Sequence, residues 1–150
     1  MAYNTIKIKK YSDVVEEFVA NAAITPGHLI ELMSTGKVRA HASVEGNALP
    51  MFALEDELQG NGIDDAYDAL DPVQCWIPGR GDIVNAILKD NVTAVIGSEL
   101  SSAGDGTLQV HVADDSDDPS YPEAIIGYAA EAIDTSNSAV ATSRILVRIK

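Results

Sequence analysis

A chain of 150 residues, 46% of them apolar, is long enough for one domain with a buried core and too apolar for a disordered acidic tail. Ten Lys and Arg against 23 Asp and Glu leave a net charge of −13, which excludes ordinary nucleic-acid binding and docking on an anionic membrane, because both modes need cations. One cysteine, Cys75, excludes an intrachain disulfide framework, and no stretch approaches the roughly 18 apolar residues of a membrane span.

Thirteen Val, 14 Ile and seven Thr supply β-branched residues that favour strands, while only eight aromatics are available to the core. The first segment, YNTIKIKK, alternates Ile6 and Ile8 with Lys7 and Lys9, the period of two that marks an extended strand with one apolar edge. Its terminal position makes residues 1–20 an expected arm, and residues 21–150 a single β domain. The N-terminus has no apolar signal core, so synthesis in a cytosol without an export address is expected. Residues 12–23 read two ways. Val14, Val15, Phe18, Val19 and Ala22 fit one helical face behind Ser12 as N-cap, whereas their β-branched content fits a strand.

From residue 24 the pattern is short strands broken by turns. Pro26-Gly27 precedes Leu29, Ile30 and Leu32; Gly36 precedes Val38, Ala40 and Ala42, which alternate with Lys37, Arg39 and His41. LPMFALEDEL is a third run, and the polar QGNGIDDAYDALD reads as a loop with one helical turn at 64–69. Val73, Cys75 and Ile77 share a strand face that ends at Pro78-Gly79. IVNAIL and TAVIG follow. Beyond the Gly104-Asp105-Gly106 turn, Leu108, Val110 and Val112 alternate with Gln109 and His111. EAIIGYAAEAID and SRILVRIK close the chain, the latter with Ile145, Val147 and Ile149 on one parity. Strands this short and this closely spaced predict an all-β fold, a small barrel or sandwich with at most one or two short helices.

Charge is segregated. Six of the ten cations are Lys7, Lys9, Lys10, Arg144, Arg148 and Lys150, whereas residues 40–79 and 90–143 hold no Lys or Arg. Catalytic chemistry has no carrier here: there is no G-x-S-x-G elbow, no phosphate-binding loop and no G-x-G-x-x-G. No H-x-x-x-H or C-x-x-C spacing announces a metal, and no cofactor is implied. His41 and His111 fall at polar strand positions and are expected to face solvent; Cys75 beside Trp76 is expected to be an inert core residue. The acidic run from Asp114 to Asp118 fails the EF-hand template, with Pro119 at the sixth position and Ile125 at the twelfth. The Arg80-Gly81-Asp82 triplet lacks the extracellular context an integrin ligand would need.

Taken together, GDIVNAILKDNVTAVIGSELSSAGDGTLQVHVAD, EAIIGYAAEAID, the terminal RILVRI and the opening AITPGHLIEL resemble the head decoration, or capsid cement, proteins of tailed bacteriophages. The resemblance implies a non-enzymatic all-β virion protein on the outer surface of an icosahedral capsid, bound to the major capsid protein and to its own copies, most often as a trimer. It also implies that binding stabilises the expanded shell. The basic alternating segment then becomes the candidate partner-binding site: Tyr3, Ile6, Lys7, Ile8, Lys9 and Lys10 would dock by strand addition on a shell subunit or neighbouring protomer. Two other classes fit the charge: an acidic mimic of DNA that inhibits a DNA-binding protein, and a small ligand-binding β module.

Overall fold

The computed structural model describes residues 3–9, 13–112, 124–136 and 143–150. Among them the strands run β1 (Lys7–Lys9), β2 (Val14–Val19), β3 (Ile30–Leu32), β4 (Val38–Ala40), β5 (Phe52–Ala53), β6 (Pro72–Ile77), β7 (Ile83–Leu88), β8 (Thr93–Ala94), β9 (Glu99–Ser102), β10 (Leu108–Val110), β11 (Ile125–Ala129), β12 (Ile133–Asp134) and β13 (Ser143–Ile149). The expected all-β architecture is present. Residues 12–23 resolve in favour of the strand: β2 pairs antiparallel with β6 from Val14↔Ile77 to Val19↔Pro72. The expected helical turn at 64–69 is corrected. Those residues form turns and one bridge, Ile24↔Tyr67, while a 3-10 turn lies earlier, at Glu57–Gln59. Asp56 caps that turn, its carboxylate accepting the Gln59 N–H, and Gly60 ends it at φ +79°.

Five strands close a barrel in the order β7-β10-β9-β11-β13 and back to β7. The alternation of β13 explains its place. Ile145, Val147 and Ile149 are buried inside, and the whole strand pairs with β7 from Ser143↔Leu88 to Arg148↔Ile83. The other edge of β7 is shared: β1 takes it at Ile83 and Val84, and β10 takes it at Leu88. Close approach of β11 to β13 requires Gly127, where an added Cβ would sit 2.4 Å from the Arg148 carbonyl oxygen.

A three-stranded sheet, β2-β6-β5, and the β3-β4 hairpin cover the barrel. The sheet separates two cores because its strands alternate between them. Phe52, Leu54 and Trp76 join the barrel core, whereas Met51, Ala53, Val73 and Cys75 join a second core with Ile24, Ile30, Val38 and Tyr67. Phe52 and Trp76, both fully buried, face each other across strands β5 and β6. Cys75 is the inert thiol expected of it, since burial pushes its pKa up to about 12.

Candidate partner-binding surface

The N-terminal candidate segment is bound into the barrel. Ile6 is fully buried in the barrel core, and its N–H donates to the Glu55 carboxylate at 3.1 Å while its carbonyl accepts the Asn85 N–H at 2.9 Å. Thr5 also donates its hydroxyl to Glu55, and Asn85 Nδ2 donates to the Thr5 carbonyl at 3.3 Å. The period of two in this stretch therefore records a strand, β1, that pairs with the barrel strand β7 of the same chain. Ile6, one of the partner-contact candidates, packs its side chain inside this chain's own core. Lys7 is half-buried and pairs with Asp13 at 3.5 Å; Ile8 is half-buried; Tyr3 and Lys9 remain exposed. Lys10 lies outside the described residues.

Cations at the other terminus also have internal work. Arg144 donates to the carbonyls of Pro26 at 3.0 Å and Ile63, and pairs with Asp64 at 3.3 Å, so it ties β13 to two loops. Gly27 makes room for this guanidinium, since an added Cβ would fall 2.5 Å from it and the local φ is +91°. Arg148 donates to the Gly81 carbonyl at 3.2 Å.

The histidines depart from expectation. His41 is buried, its ring hydrogen-bonded to Ser102 Oγ at 2.7 Å and to the Asn47 carbonyl at 3.3 Å. The His111 side chain is largely covered and meets Glu45 at 3.2 Å. Both are covered by the loop after β4, which a left-handed residue, Glu45 at φ 50°, folds back on β9 and β10. His28 is also enclosed, and burial holds its pKa below the ordinary value, with Asp105 opposing and Arg144 assisting. No group of three or more metal-ligating side chains occurs among the described residues. The acidic run 114–118 lies outside them. In the Arg80-Gly81-Asp82 triplet, Asp82 is buried and accepts the Gly79 N–H at 2.7 Å, so the triplet is not displayed as a loop ligand.

What the fold does expose is apolar surface on β2 and beside it. Val14, Val15 and Val19 are 47%, 37% and 40% exposed, and Leu32 and Leu49 stand out nearby. On one side of β2 a groove of about 310 Å³ is lined by Glu16, Phe18, Ile30, Leu32, Leu49 and Met51. On the other side a smaller depression, about 150 Å³, is bordered by Val15, Gln74, Glu55, Asp56 and Glu57. The groove also holds Glu31 and His41, whose Nε2 lies 3.7 Å from the Glu31 carboxylate, and the depression also holds Lys7; most of the surface on offer is apolar contact and negative charge. Sequence reasoning grouped Val14, Val15, Phe18 and Val19 as one helical face. The signal available was that they occupy both parities of a strand, so that no single core can cover them all.

No family model matches this chain, and no curated protein matches it. Among solved structures it is similar to the head fiber gp8.5 N base of bacteriophage phi29, with a TM-score of 0.58 and 15% identity over 93% of this chain and 95% of that chain. At this identity the likeness is one of fold, and it extends over nearly the whole of both chains.

Proposed function

We propose that this chain is a non-catalytic structural protein of a phage virion, seated on the outer surface of the head. In this reading it binds the major capsid protein as a decoration or cement protein and stabilises the expanded shell. The observation that carries the reading is the correspondence, along 93% of the chain, with the base of a head fiber. The resemblance of its β-ladder segments to head decoration proteins supports the same setting. The physical logic is avidity and linkage. A module that touches several shell subunits at once gains effective concentration for each further contact, and one that binds only the expanded lattice stabilises it by mass action. A trimer would match three neighbouring subunits by symmetry. The acidic surface, from a net charge of −13, would keep decorated particles apart.

The test is the copy number per purified virion, measured by quantitative mass spectrometry against the major shell protein. A simple ratio, one per subunit or a small-integer fraction of it, supports a surface-lattice protein. A trace amount or none overturns the reading, and salt-sensitive capture of a DNA-binding protein would then point to the acidic-mimic class.

A further inference from the structure

The β2-β6-β5 sheet ends on an edge, β2, along which no further strand pairs among the described residues. Leu54 N–H bonds the Gln74 carbonyl at 2.8 Å, so the even-numbered residues of β6 turn toward β5. Its odd-numbered residues therefore turn toward β2, and the register Glu16↔Cys75 and Phe18↔Val73 puts the even-numbered β2 residues on that seam. Val15 and Glu17 consequently direct their N–H and C=O groups away from the sheet. Among the described residues the edge is closed at its end, where Ala20 bridges Val38 and Asn21 N–H bonds the Val38 carbonyl at 2.8 Å. Along β2 there is no proline, lysine or bulge to blunt the edge, and three valines are exposed on it.

Side chains of a strand added to this edge would alternate between the two faces of the sheet. One parity would enter the apolar groove beside Phe18, Ile30 and Leu32, whose volume of about 310 Å³ falls in the range of natural ligand clefts. The other parity would meet the depression bordered by Asp56 and Glu57, with the buried Glu55 behind them; Lys7 also lines it but pairs with Asp13, so the depression keeps a negative balance. We propose that β2 accepts, by strand addition, an extended segment of another protein in which aliphatic residues alternate with Lys or Arg. Naming a shell subunit as the donor rests on the function proposed above; the chemistry of the edge does not. A second β2 is a poor occupant. Because only odd-numbered residues face the open edge, a symmetric antiparallel pair must centre on Glu16 or on Glu17 and set that glutamate opposite its own copy, and like charges directly opposed are destabilising.

The full chain is titrated with a labelled nine-residue peptide of alternating leucine and lysine, and with a control carrying glutamate in place of lysine, by fluorescence anisotropy. The lysine peptide should bind, weaken with salt, and shift the amide resonances of Val15 and Glu17, while the glutamate peptide should not bind. Glu17→Pro removes the outward donor, together with the Glu17 carboxylate and the bond it accepts from Gln74 Nε2, and should weaken binding about tenfold. Glu57→Lys reverses a charge away from the strand and should weaken it by a similar factor, about tenfold, which keeps the test decisive if the proline variant melts early. Equal binding of both peptides, unchanged affinity in both variants, or peptide-induced self-association of the chain would overturn the proposal. Co-sedimentation of the wild-type chain with purified shells is a separate arm. Its failure removes the shell donor, and the peptide titration still decides the edge.

Discussion

Replacing Ile6 by alanine should destabilise the whole domain. The substitution deletes three buried carbons, which is about 2.4 kcal/mol of transfer free energy at about 0.8 kcal/mol for each. A residual cavity adds to this, because Ile6 lies fully buried among Val84, Leu54 and their neighbours and its backbone is fixed by Glu55 and Asn85. The expected total is about 3 kcal/mol, or a fall in Tm of about 6–12 °C for a domain of this size. Urea titration followed by tryptophan fluorescence provides the assay, with Lys9→Ala, an exposed position in the adjoining strand β1, as the control. The midpoint should fall for Ile6→Ala with the slope unchanged, and move little for Lys9→Ala. If Ile6→Ala behaves like the control, to within about 0.5 kcal/mol, then the segment is not part of the core and the argument that it is bound into the barrel fails.

Glu55→Ala should cost about 1–3 kcal/mol, because the buried Ile6 amide loses its acceptor; Glu55→Gln, which keeps an oxygen there, should cost less, as read from the same titrations. Gly127→Ala should lower stability by about 1–3 kcal/mol, since a Cβ 2.4 Å from the Arg148 carbonyl forces β11 and β13 apart; thermal melts followed by circular dichroism report it. Stability should fall in alkali. Burial raises Cys75 and Tyr67 from 9.0 and 10.0 to about 12, so their contribution is present below those ordinary values and is lost as pH rises toward 12. Cys75→Ala should flatten that decline, and the wild-type thiol should stay unreactive to Ellman's reagent until the protein unfolds. His28 acts at the other end of the scale. Burial lowers its pKa from 6.5, so its contribution is present above 6.5 and is lost as pH falls toward the folded value; urea midpoints of wild type and His28→Gln compared from pH 7 to 5 measure the difference.

Much of the fold can be read locally. The alternation in SRILVRIK places Ile145, Val147 and Ile149 inward without reference to anything else, and Val73, Cys75 and Ile77 fall on one face as their spacing requires. What alternation cannot supply is the identity of the covering layer. Ile6 and Ile8 announce a strand, but nothing near them in sequence says that β7, some 75 residues away, is its partner. His41 and His111 fall just past the ends of β4 and β10, and the loop that follows β4 partners both, Asn47 with His41 and the left-handed Glu45 with His111. The open edge at β2 was hidden for a related reason. Val14 and Val15 are adjacent, so one of them had to face away from whichever core the strand joined.

The shared edge of β7 gives the barrel a seam. Four of its five junctions are antiparallel ladders, but β7 and β10 meet in one parallel pair, Leu88↔Leu108, with Lys89 N–H bonded to the Leu108 carbonyl at 2.8 Å. Beside that join, on the same edge, β1 lies across Ile83 and Val84. The N-terminal strand thus works as a latch on the weakest joint of the cylinder. Peeling it away would bare the stretch from Ile83 to Asn85 of an edge otherwise held by the Leu88↔Leu108 pair and the Ile87 N–H bond to the Gly27 carbonyl. Tension applied through the N-terminus would open the cylinder like a zip from this side, whereas tension applied through the C-terminus would have to shear the full β7–β13 ladder.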